Sequence, residues 1–233
     1  MQEARSRGAM VNAFLKQPPE KSSTEDFLKI LLQGKGLEGV GGFSLVCGRV
    51  GEPLAVISNR TPNVEGVSWL ARKKWVTEGL SNAAFGNRSW PKVTDGEELM
   101  KSAIHNSVAR KDTKAQFIEE MMRLLSTDTL PKKQEGQSWD AYIKELRLSI
   151  FIPKLGGEGM DGMSAEDIAT AKSEQNVRGL SGVYGTQKQT VLLVDHEGHA
   201  TFMERTLYDS EAQPIKESGR DRWLEFDVPH SVM

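Results

Sequence analysis

Cys47 is the single cysteine of the 233-residue sequence, so no intrachain disulfide can form, which fits a reducing compartment. An excess of either charge is also missing. Lys and Arg number 30 against 32 Asp and Glu, a formal net charge of -2. That balance leaves no electrostatic footprint for nucleic acid or an anionic membrane. The short basic clusters Arg72-Lys73-Lys74 and Lys132-Lys133 read as solvated loops. Long apolar runs are absent too. Val191-Leu192-Leu193-Val194 is among the longest, far short of the roughly 20 residues of a membrane-spanning helix. No transmembrane segment is expected. Residues 1–7 carry charge but no apolar signal-peptide core, so action on secretory-pathway membranes is expected from the cytosolic side.

Several chemistries lack their motifs. Gly-x-Ser-x-Gly, the mark of a nucleophile elbow, occurs nowhere. The glycine-rich stretch 154–163 has neither a phosphate-loop ending nor dinucleotide-fold spacing and reads as a flexible connection. His196 and His199 lie three apart across a turn without a third ligand nearby, and exposed turn histidines are commoner than metal sites. Cys47 falls mid-strand with no neighbour in sequence to lower its pKa, so a buried inert thiol is expected. Glu204-Arg205 and Asp209 read as an ion-pair cluster.

What is present is a mixed pattern. Apolar spacing predicts a helix over Gly8–Leu15, stopped by Pro18-Pro19. A capping box from Ser22 to Glu25 predicts a helix over Thr24–Gln33 with a stripe of Phe27, Ile30 and Leu31. Residues 43–50 and 54–58 alternate around Gly51-Glu52-Pro53 as a hairpin, and more short strands are expected within 68–81. Asp95 is read as the cap of a helix carrying Leu99, Ala103, Ile104 and Val108. Thr113 is read as the cap of another carrying Phe117, Ile118, Met121 and Leu125. A loop over 126–140, a short helix over 139–146 and a weak helix over 164–172 follow. The chain ends in a hairpin, 189–195 with 200–205, and a strand over 223–228. Hairpins outnumber strand-helix-strand units, so an α+β fold with mainly antiparallel sheets is expected.

Three compact motifs stand out: Ser58-Asn59-Arg60 at a strand end, Gly79-Leu80-Ser81-Asn82-Ala83, and Tyr184-Gly185-Thr186 ahead of Gln187 and Thr190. Asn and Thr at strand ends suit oxyanion or ligand hydrogen bonding. They suit turn stabilisation equally well.

Taken in order, these motifs resemble one family, the NRDE-type Transport and Golgi organization 2 proteins. Ser6-Arg7-Gly8-Ala9-Met10-Val11 with Phe14-Leu15 is similar to its Ser-Arg-Gly-x-Leu-Val-x-x-Phe-Leu helix, Gly42-Phe43-Ser44-Leu45 to its Gly-Phe-Asn-Leu strand, and Ser58-Asn59-Arg60 to its Ser-Asn-Arg. Gly79-Leu80-Ser81-Asn82-Ala83 with Trp90-Pro91-Lys92-Val93, and Tyr184-Gly185-Thr186 with 189–195, Gly198 and Phe202-x-Glu204-Arg205, match closely. The resemblance implies a single domain with an N-terminal-nucleophile-hydrolase-like αββα sandwich. It implies a cytoplasmic protein, Golgi-associated or mitochondrial, tied to Golgi organisation, secretion, and haem or lipid handling, with trafficking proteins as partners. In that fold class an N-terminal Cys is the nucleophile and its own amine the base.

Complete members begin Met-Cys and soon carry Asn-Arg-Asp-Glu. Neither occurs here, so an N-terminal segment is expected to be missing, and the 233-residue chain is expected to be aggregation-prone through exposed strand edges. The family's Arg after Tyr-Gly-Thr is here Gln187, while Lys188 should leave the strand on the opposite face. A non-enzymatic trafficking role is the leading expectation. The rival is an amide or thioester hydrolase in which Asn82 stabilises the oxyanion, Tyr184 shares the cleft, and Thr186 or Thr190 positions substrate. Asn59, Arg60, Asn82 and Gln187 are the ligand-binding candidates.

Overall fold

The computed structural model describes residues 6–18, 23–33, 37, 39–156 and 183–228. The expected helix over 164–172 and the glycine-rich stretch beyond Gly156 lie outside them. The chain divides into two compact units, Met1–Asn87 with Asp227–Met233, and Arg88–Phe226. Both combine helices with antiparallel sheet, giving the α+β class.

In the first unit, α1 (Gly8–Leu15) and α2 (Thr24–Gln33) are the predicted helices. The cap of α2 falls one residue later than expected. Ser23 Oγ accepts from the Asp26 amide at 3.1 Å, and the Asp26 carboxylate accepts from the Ser23 amide at 3.1 Å, a reciprocal pairing. The buried side of α2 is Thr24, Phe27 and Leu28 with Leu31 partly covered, while Ile30 is exposed. Positions 24, 27, 28 and 31 follow the i, i+3, i+4, i+7 face, which leaves Ile30 outside it.

This stripe packs on a sheet of β1 (Ser44–Cys47), β2 (Leu54–Ser58) and β3 (Ser68–Leu70), in the order β1-β2-β3. The register sets Leu45 opposite Ile57 and Cys47 opposite Ala55, with Ala55 also opposite Trp69. These side chains share one face with period two. They meet Phe27 and Leu28, and Phe14 of α1 packs edge-on against Phe27 at 5.1 Å. β1 stops at Cys47, short of the expected residue 50. A Cβ at Gly48 would lie 2.6 Å from Leu54 Cδ2 and 3.1 Å from Leu54 Cα, an approach that glycine admits. The expected strand cluster over 68–81 reduces to β3. Ala71 turns left-handed at φ 57 and ends the ladder, and 71–90 carries no regular element.

In the second unit, α3 (Pro91–Arg110) starts at Trp90, well before the predicted cap Asp95. Pro91 at N1 has a pre-set φ and no amide to satisfy. The earlier start leaves Asp95 inside the helix, and it buries Val93, Ala103 and Ser107 while Leu99 and Val108 stay exposed. α4 (Lys114–Leu125) carries the full capping box from Thr113 to Gln116. Its face of Ile118, Met121 and Met122 joins Ala103, Val191 and Met203 in the second core. α5 (Trp139–Ile143) runs on into a 3-10 turn, Lys144–Leu148. β4 (Leu155–Gly156) and β5 (Val183–Tyr184) form a short pair, Leu155 opposite Tyr184. β6 (Lys188–Val194), β7 (His199–Thr206) and β8 (Asp221–Asp227) form the larger sheet, in that order, and β6 and β7 are the predicted hairpin.

Candidate functional site

The β6-β7-β8 sheet has one covered face and one open one. Gln189 and Val191 of β6 and Thr201 and Met203 of β7 are buried toward α4. Thr190, Leu192 and Val194 alternate with them and are exposed. The register sets Leu192 opposite Phe202, Thr190 opposite Glu204 and Val194 opposite the buried Ala200, so the half-buried Phe202 and Glu204 share the open face with Ala200 at its floor.

Polar contacts fix the phase of β8. Asp221 binds Arg205, and Glu225 binds Lys114 of α4 at 2.5 Å and Thr201 at 3.4 Å. Odd-numbered residues of β8 therefore look toward α4, and Leu224 and Phe226 look the other way. Leu192 is 59% exposed and Phe226 52%. The open face thus carries five apolar side chains, Leu192, Val194, Phe202, Leu224 and Phe226. One end is polar, where Lys188 Nζ meets Glu204 Oε1 at 2.6 Å beside Thr190. β8 is the strand expected near the end of the chain, begun two residues earlier at Asp221, and each of its residues is exposed.

Arg205 holds β8 in place. Its guanidinium donates to both carboxylate oxygens of Asp221 at 2.8 Å and to Glu119 Oε1 of α4 at 3.1 Å. The bidentate bond holds the Asp221 carboxyl below the usual carboxylate range, and partial burial opposes this.

The sequence-derived candidates fall in different places. Asn59 and Arg60 are exposed at the turn after β2. There Ser58 N donates to Thr61 Oγ1 at 2.9 Å and Arg60 N to Ser58 Oγ at 3.1 Å. Asn82 is exposed in the irregular 71–90 stretch. These three belong to the first unit, and Tyr184, Thr186, Gln187 and Thr190 to the second.

Thr186 embraces the backbone of Ile152. Its amide donates to Ile152 O at 2.8 Å, and its Oγ1 accepts from Ile152 N at 2.9 Å. Gly185 beside it fits because a Cβ would meet Pro153 O at 3.0 Å and Lys154 Cα at 3.2 Å. The Gln187 amide donates to the carbonyls of Tyr208 and Asp209, each at 3.3 Å. In this way Tyr184, Thr186 and Gln187 tie 152–155 and 208–209 together. Thr190 alone among the candidates stands on the open face. The signal that marks that face in the sequence is Val191-Leu192-Leu193-Val194, apolar at both parities, where a half-solvated strand would alternate.

Cys47 ends β1, is 7% exposed, and burial pushes its thiol up to about 11. A protonated buried thiol is a poor nucleophile and a poor metal ligand. At the β6-β7 turn, Asp195 Oδ1 accepts from the amides of Glu197 at 3.0 Å and His199 at 2.8 Å. Its other oxygen lies 3.2 Å from His199 Nδ1. Asp195, Glu197 and His199 come within metal-binding distance of one another, all exposed; the carboxylate serves the turn.

An axial donor to haem would have to stand beside an apolar surface. The three described histidines, His105, His196 and His199, are all exposed.

An α+β protein with a helix-backed antiparallel sheet and an open apolar face is the class these observations define. The profile of the family Transport and Golgi organisation 2 matches residues 1–209, and the chain belongs to that family. It is similar to the Transport and Golgi organization protein 2 homolog of Homo sapiens, 27% identical over 221 residues that cover 90% of this chain and 64% of the relative. The chain thus spans about 64% of the length of the curated relative it matches. Among the described residues no helix is long and apolar enough to cross a membrane.

Proposed function

We propose that this chain serves Golgi organisation and protein secretion as a non-enzymatic carrier of a small amphiphilic lipid, held on the open face of β6-β7-β8. One observation supports this above all: five apolar side chains next to a polar end made of Lys188, Thr190 and Glu204. An acyl chain would lie along Leu192, Val194, Phe202, Leu224 and Phe226, and its polar head would meet Thr190 and Lys188. Burying apolar surface drives such binding, and a few polar groups orient it. An acyl lipid is preferred to haem here because the open sheet face is apolar and the described histidines lie off it. We place the activity in the cytoplasm, at Golgi or mitochondrial membranes, alongside trafficking proteins.

The helix-backed sheets support an N-terminal-nucleophile-hydrolase-like sandwich as the finer fold class. Cys47 is not read as a hydrolytic nucleophile, because it is buried with its thiol shifted up. Asn82, Asn59 and Arg60 remain ligand-contact candidates of the first unit.

The test is a titration with a fluorescent long-chain fatty acid. Leu192→Glu and Phe226→Glu should each weaken binding roughly tenfold to a hundredfold, the value of one buried large apolar side chain. Glutamate at the exposed Ile30 of α2 should leave it unchanged. Equal binding by all three variants, or a Soret shift with haem that outcompetes the fatty acid, would overturn the reading.

A further inference from the structure

The irregular segment after β3 carries a feature independent of the open sheet face. Residues 71–76 are all exposed, and Trp75 is 93% exposed, the highest among the large apolar side chains described. Two non-glycine residues here are left-handed, Ala71 at φ 57 and Trp75 at φ 65. A bulky side chain with positive φ is disfavoured, and a fold keeps it only where surrounding contacts impose it. At the base of the loop Glu78 Oε2 accepts from the Ala71 amide at 3.1 Å. Trp75 stands in solvent between these two residues, with the half-exposed Val76 beside it.

Arg72, Lys73 and Lys74 precede it without an intervening acid, and Arg72 lies over the Trp69 ring at 5.6 Å. The next acid, Glu78, is already engaged by backbone. An exposed indole, an aliphatic neighbour and consecutive cations match the membrane interface, where the ring's apolar body enters the headgroup zone and its N–H stays wet. The chain's near-neutral balance does not oppose this, because screening limits the attraction to charges within about 10 Å.

We infer that the 71–78 loop docks the protein on an anionic membrane surface, with Trp75 and Val76 entering the interface and Arg72, Lys73 and Lys74 meeting acidic headgroups. Single-stranded nucleic acid is the competing occupant. It fits less well, because stacking platforms use several aromatics, whereas the loop offers one and pairs it with Val76.

The experiment is co-sedimentation of the full chain with phosphatidylcholine vesicles, with and without phosphatidylserine. Wild type should bind the phosphatidylserine vesicles alone and release with added salt. Each cation contributes roughly fivefold, so Arg72→Gln, Lys73→Gln and Lys74→Gln combined should weaken binding on the order of a hundredfold. Trp75→Ala should cost about tenfold, and Trp75→Phe should restore most of it. Ile30→Gln, at an exposed position of α2, should have no effect, and melting temperatures should match wild type because the substitutions are solvent-facing. Absence of vesicle binding, equal binding to neutral vesicles, loop variants that bind like wild type, or loss of RNA binding without any vesicle binding would each overturn the inference.

Discussion

Replacing Arg205 with methionine tests whether one guanidinium pins β8 to the rest of its unit. In the native protein Arg205 makes two 2.8 Å bonds to Asp221 and one of 3.1 Å to Glu119. Methionine keeps much of the stem's packing and removes all three. Removing the partner of a fully buried charge costs about 3–5 kcal/mol, while exposed pairs are worth about 0–1. The Asp221 side chain is 28% exposed and Glu119 55%, and Arg220 Nε remains 3.8 Å from Asp221. Two charge-assisted bonds to a half-buried carboxylate then set the loss at about 2 kcal/mol, or roughly 4–8 °C in melting temperature for a chain of this size.

The pH dependence gives the sharper signature. Because Asp221 titrates below the usual carboxylate range when folded, its contribution is fully present above about pH 4 and disappears as pH falls through the lowered value. The gap between wild type and Arg205→Met should therefore close in acid. Melts at neutral and acidic pH, with hydrogen exchange on β8 amides, provide the assay. An unchanged melting temperature at neutral pH, or a gap that persists in acid, would refute the reasoning.

Two further outcomes follow from single contacts. Gly185→Ala should destabilise by about 1–3 kcal/mol, since its Cβ would press on backbone atoms of 153–154 and strain the Thr186–Ile152 pair; urea melts measure it. Cys47 should react with a thiol reagent only as fast as its unit opens. Its thiol is raised from 9.0 to about 11 in the fold, so the unfolded chain ionises first and wild type should lose stability between those values, a loss that Cys47→Ala would not share.

Much of the fold can be read in the sequence where local chemistry is strong. The Thr113 capping box, the β1-β2 hairpin around Gly51 and the β6-β7 hairpin around Gly198 each rest on residues with one good conformation. Helix starts were less legible. Asp95 is an equally good cap by composition, but Pro91 takes N1 because its ring fixes φ in advance. The extent of β3 was not local information at all. Ala71 turns left-handed to close a loop on Glu78.

For the site, Thr186 and Gln187 stand out in the sequence, yet residue type does not tell ligand contact from backbone bracing. Their partners, Ile152 and Tyr208–Asp209, lie some 20 to 35 residues away. The open face was hidden for a similar reason: Leu224 and Phe226 join Leu192 only once Arg205 and Lys114 fix which way β8 looks.

The central claim is that the open face of β6-β7-β8 holds an acyl ligand. A photoactivatable fatty acid, cross-linked to the full chain and mapped by peptide mass spectrometry, tests it most directly. Adducts concentrated on 190–194, 202 and 224–226, and displaced by unlabelled fatty acid, are the result this account predicts. Adducts scattered over both units, or confined to the first, would contradict it.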